Sequence, residues 1–75
     1  MTTVHLISTF ENYKNEESGD KANTVRQNLT TARYNKIMES THVCIHRGYT
    51  NKSFIRKISN KTYWSGIMII SWRHE

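Results

Sequence analysis

The sequence predicts a small α+β domain of order β-α-β-β-β, one helix packed on a four-stranded, mainly antiparallel sheet. Three observations carry this expectation. Residues 3–10 alternate apolar and polar side chains. A narrow apolar stripe at helical spacing follows between residues 21 and 39. The remainder holds three runs rich in β-branched and aromatic residues, separated by short turns, which is how antiparallel hairpins read.

In the first element, Val4, Leu6, Ser8 and Phe10 fall on one side and His5, Ile7 and Thr9 on the other, the period of two of a strand. Residues 11–20 hold Glu11, Glu16, Glu17, Asp20 and Gly19 and read as an acidic loop. Ser18 or Asp20 then caps a helix near 21–39 by accepting from its free first-turn amides. Ala22, Val25, Leu29 and Ala32 form its buried stripe, interrupted by Lys36. Three strands complete the fold: His42 to Arg47, Ser53 to Ile58 and Tyr63 to Trp72, with turns at Gly48–Lys52 and Ser59–Thr62. In the last strand Trp64, Met68, Ile70 and Trp72 share a face and Tyr63, Ile67 and Ile69 take the other, so it belongs at the centre of the sheet or at an interface. One helix covers one face of such a sheet. The second face is left uncovered, with Phe54, Ile55, Arg56, Lys57 and Ile58 placing a charge beside apolar neighbours on either side of their strand.

Seventy-five residues make one domain, 1–75, with a small core, since hydrophobic residues are 36% of the chain. A core of this size supplies only a few kcal/mol, about 3–5, so a homodimer or a bound partner is a natural supplement. The single cysteine, Cys44, excludes an internal disulfide and favours a reducing, cytoplasmic setting. The longest apolar run, Ile67 to Ile70, is too short to span a bilayer, and no targeting segment is visible. Asn-x-Ser/Thr triplets at Asn28, Asn51 and Asn60 carry no weight without a secretory signal.

Catalysis is not expected. The three glycines are scattered at 19, 48 and 66, so no phosphate-binding loop or dinucleotide fingerprint exists. Glu16 and Glu17 lack a rigid frame for acid–base work. His42, Cys44 and His46 point to one face of a strand, and thiolate and imidazole are the donors zinc accepts. Three same-face residues of one strand do not readily converge on one ion, and the missing ligand would have to come from His5 or His74 on another strand. The sequence therefore predicts no metal or other cofactor, with Cys44 a buried small hydrophobe. A Cys–His nucleophile lacks any surrounding signature.

Charge is the more informative signal. The net charge is +5, and ten of the eleven Lys and Arg lie beyond residue 20, against Glu39 and Glu75. Arg26 and Arg33, two helical turns apart, would line a groove edge. Arg47, Lys52, Arg56, Lys57 and Lys61 cluster across the hairpins with Tyr49, Phe54 and Tyr63 interleaved. Cations neutralise phosphates and rings stack on unpaired bases, so Arg26, Arg33, Arg47, Tyr49, Lys52, Arg56, Lys57, Lys61 and Tyr63 are the candidate contacts of a nucleic-acid-binding protein, for RNA or DNA. The alternative is a protein of the phage or mobile-element type that binds a host protein, inhibiting or modulating it. An acidic protein surface as partner would suit the charge, and the two-sided apolar terminal strand could dock on that partner's sheet.

Overall fold

Thr9 and Thr30 each stand just before a helix as its N-terminal cap. In the computed structural model, which describes residues 2–73, both hold extended backbone. Their hydroxyls accept from the amides of Asn12 (3.3 Å) and Arg33 (3.2 Å), satisfying first-turn donors that the helix itself leaves free. The helices they cap are α1, Phe10–Ser18, and α2, Thr31–Glu39. The strands are β1 (Thr3–Ser8), β2 (Asn23–Gln27), β3 (His42–Arg47), β4 (Ser53–Trp64) and β5 (Ile67–Trp72), so the chain runs β1-α1-β2-α2-β3-β4-β5. The class is α+β as predicted, with two helices and five strands among the described residues in place of one and four.

The five strands form one sheet of order β1-β3-β4-β5-β2. β1 pairs in parallel with β3, and every other pairing is antiparallel. Register sorts the side chains. Val4 lies opposite Val43, Leu6 opposite Ile45 and Ile45 opposite Phe54, so these residues share one face. Met68, Ile70 and Trp72 extend the same layer, and Tyr13 from α1 with Ile37 from α2 closes it. Both helices thus cover one face. The other carries His5, Ile7, Val25, Cys44, Ile55 and Ile69. The sheet curls until its two edge strands meet, for Arg26 of β2 reaches the Ile7 carbonyl of β1 at 2.7 Å.

Three expectations are corrected. Residues 11–20 are largely helical: Gly19, at φ 93°, ends α1 in the left-handed conformation that a residue without Cβ adopts cheaply. The helix expected over 21–39 is instead β2 followed by α2. Pairing with β5 sets Thr24 opposite Ile70 and Arg26 opposite Met68, and Asn28 at φ 55° breaks the chain between the two elements. The terminal strand is two strands. Ser65 and Gly66 both take positive φ (52° and 79°), the demand of a tight two-residue hairpin turn, while the turn expected at Ser59–Thr62 is a bulge between Ile58 and Asn60 inside β4. Trp64 is therefore 76% exposed near the hairpin tip, whereas Trp72 is core at 3%.

The Gly48–Lys52 turn lies where expected. Arg47 donates its amide to the Lys52 carbonyl at 2.9 Å, and the Thr50 hydroxyl donates to the Arg47 carbonyl at 2.6 Å. Among the described residues no helix is long and apolar enough to cross a membrane.

Candidate functional site

β1 is an edge strand, paired on one side only. Its outward carbonyls are the sort of exposed ladder a protein must cover. Two guanidiniums cover them here: Arg26 Nη1 donates to the Ile7 carbonyl at 2.7 Å, and Arg33 Nη1 to the His5 carbonyl at 3.0 Å. The sequence expectation put both arginines on one helix. The structure puts Arg26 on β2 and Arg33 on α2, yet both converge on the same edge.

Behind this seam lies a polar network. Arg26 Nη2 donates to Ser8 Oγ (3.0 Å), which donates to Glu16 Oε1 (2.8 Å). Glu16 is only 1% exposed, and its second oxygen has the Lys21 ammonium at 4.0 Å. Burial pulls the Arg26 guanidinium below its ordinary pKa, Glu16 counters that shift, and Arg33 adds to it. A guanidinium starts so far above neutrality that Arg26 stays charged at physiological pH.

In front of the seam opens a cleft of about 590 Å³, lined by His5, Arg26, Gln27, Arg33, His46 and Tyr49 among others. Among the described residues no Asp or Glu lines it. Tyr49, carried on the Gly48–Lys52 turn, is 96% exposed at the mouth, with Lys52 exposed on the same turn. Each arginine uses part of its five-donor fork on a carbonyl and keeps further N–H groups to offer.

The other expected contacts are held elsewhere by the fold. Arg47 stacks over the Phe10 ring at 4.1 Å. Arg56 stacks over Phe54 at 4.7 Å and donates to the carbonyls of Ile55 (3.0 Å) and Glu17 (3.3 Å). Lys61 donates to the Met38 carbonyl (2.8 Å) near the C-terminal end of α2, where carbonyls are left without helical partners. Tyr63 packs edge-on against Tyr34, ring centres 4.8 Å apart. Lys57 is exposed on the outer sheet face and lines a second hollow with Arg56 and Arg73. Of the nine residues, the cleft gathers Arg26, Arg33 and Tyr49. Sequence reasoning missed Gln27 and the part His5 plays, because neither has meaning until β1 and β2 are known as the two edges.

One further group borders the cleft. His5 Nδ1 lies 2.9 Å from His46 Nε2, and Cys44 Sγ lies 3.5 Å from the same nitrogen. The parallel β1–β3 register sets His5 beside Cys44. His42, grouped with Cys44 and His46 in the sequence, bonds Thr41 Oγ1 at 2.8 Å and stands apart. His74 lies outside the described residues. No protein-family model, curated protein or solved structure matches this chain.

Proposed function

We propose that the seam cleft binds single-stranded nucleic acid, RNA or DNA, and that the protein acts by binding and not by catalysis. The observation that carries this reading is Tyr49, an almost fully exposed ring at the mouth of an acid-free cleft lined by two guanidiniums. An unpaired base stacks on such a ring for about 1–3 kcal/mol whatever its identity, while Arg33, Arg26 and Lys52 take phosphates. Three neutralised phosphates on a single strand give a log–log salt slope of about −2.

The test is anisotropy of labelled single-stranded RNA and DNA oligonucleotides titrated at several salt concentrations. Tyr49→Ala lowers affinity about 5- to 150-fold, the equivalent of one lost stack, and leaves the melting temperature in place. Arg33→Gln flattens the salt slope. Absence of binding at low salt, or a Tyr49→Ala variant that binds like wild type, would overturn the proposal.

A second reading, a module that docks on another protein, is favoured by the open sheet face, where Ile7, Val25, Ile55 and Trp64 are all exposed. It requires a stoichiometric partner that survives nuclease and high salt. Recovery that vanishes under either treatment leaves only the nucleic-acid reading.

A further inference from the structure

We propose that His5, Cys44 and His46 form a three-ligand site for a borderline divalent cation of the zinc type, with one coordination position open to solvent. The donor atoms come from two adjacent strands and lie within 4.8 Å of one another. In a tetrahedral zinc site with Zn–N about 2.0–2.1 Å and Zn–S about 2.3 Å, two nitrogens sit about 3.4 Å apart and a sulfur and a nitrogen about 3.6 Å. The Cys44–His46 separation of 3.5 Å already fits that geometry. The His5–His46 separation of 2.9 Å opens to it by roughly half an ångström, which exposed His5 can supply by turning about its side-chain bonds.

At 2.9 Å two imidazole nitrogens can share only one proton, because two ring N–H groups would face each other donor to donor. A cation that accepts both lone pairs takes the place of that proton, which passes to the ring's other nitrogen, and the Cys44 thiol, on releasing its own proton to water, supplies the third ligand and a negative charge. The setting suits this. Cys44 is buried, with Ile55 directly across the β3–β4 ladder as an apolar wall, while His5 and His46 line the cleft and give an entry path. Three protein ligands leave a fourth position for water or for an oxygen donor brought by whatever occupies the cleft. His42 has no part in the site.

The test uses the reduced, full-length chain and cobalt(II), whose spectrum reports its ligands, followed by zinc competition, with no nucleic acid present. The expected result is a near-ultraviolet thiolate-to-cobalt charge-transfer band that saturates at one equivalent and is displaced by zinc. Cys44→Ser loses the band. His5→Ala and His46→Ala weaken binding by about a hundredfold or more, beyond what loss of an outer-shell partner costs, and His42→Ala binds like wild type. His5 is exposed, so His5→Ala folds and keeps the test decisive even where Cys44→Ser does not. A cobalt-saturated spectrum without the charge-transfer band, or equal losses in His42→Ala and His5→Ala, would overturn the site.

Discussion

Replacing Arg26 with Met separates a structural cation from a merely solvated one. The side chain reaches from β2 across the seam and makes two charged hydrogen bonds, to the Ile7 carbonyl at 2.7 Å and to Ser8 Oγ at 3.0 Å. Hydrogen bonds to charged groups contribute about 1.5–3 kcal/mol each, and partial exposure of the guanidinium puts these at the low end. Glu16, 1% exposed behind Ser8, keeps the Lys21 ammonium at 4.0 Å and loses the second, more distant positive charge that reaches it through Ser8. That longer-range attraction overlaps the hydrogen-bond loss and does not add a separate ion-pair energy to it. The expected loss is therefore about 3–4 kcal/mol, out of the roughly 4–11 kcal/mol that per-residue stability allows a chain of this length. Urea unfolding followed by tryptophan fluorescence reads it directly. Glu16→Gln removes the buried charge, so the double variant recovers about 1–3 kcal/mol relative to the sum of the single ones. A loss under about 0.5 kcal/mol in Arg26→Met, the size of an ordinary surface change, would refute the seam as a structural element.

Three further outcomes follow from particular side chains. Ile37, fully buried between α2 and the sheet, loses about 2–5 kcal/mol on truncation to Ala, read by denaturant midpoint. Trp64→Phe leaves stability within about 0.5 kcal/mol and shifts the fluorescence maximum to shorter wavelength, since the remaining indole, Trp72, is core. Burial, then the hydrogen bond to Glu17, raises the Tyr13 phenol above its ordinary 10.0. The folded chain therefore keeps that proton after the unfolded chain has lost it. The stabilisation is complete below pH 10 and drains away as pH climbs towards the higher folded value, so Tyr13→Phe flattens the decline of stability above pH 10. Equal slopes in the two proteins would contradict it.

What the sequence made legible were elements whose pattern is local. β1 and β3 declare themselves by alternation, and the turn between β3 and β4 by Gly48 and its polar neighbours. α1 hid because its buried face consists of Tyr13 and Glu16, one aromatic and one acid, which no hydrophobic period detects. β2 hid behind a coincidental stripe: Ala22, Val25 and Leu29 lie at helical spacing, but Thr24 and Arg26 face the core because β5, more than forty residues away, pairs with them. The β4–β5 turn reversed an argument from parity. A two-residue turn sets Trp64 opposite Ile67, so even-numbered residues change face across it and Trp64 parts from Met68. The same limit governs the ligand cluster. Period two found the face shared by Cys44 and His46, but only the register of β1 against β3 substitutes His5 for His42.

The seam explains how one pair of arginines fits both a structural role and the proposed binding role. β1 and β2 end the sheet on opposite sides and approach without forming a ladder; side-chain donors from Arg26 and Arg33 do what a backbone pairing would do elsewhere. A ladder exhausts its donors on its partner, whereas a guanidinium bonded to one carbonyl still has N–H groups facing solvent. Closure by arginine therefore leaves a positive, hydrogen-bond-rich lip where closure by backbone would leave a spent edge. It also makes the seam the softest part of the sheet, since its bonds are few and near water, while β3 and β4 are paired on both sides. An anion seated in the cleft would bridge the two arginines and tighten the contact between the edges. On the proposed binding reading, stability and binding draw on the same residues, so a neutralised Arg26 weakens both and a truncated Tyr49 weakens binding alone.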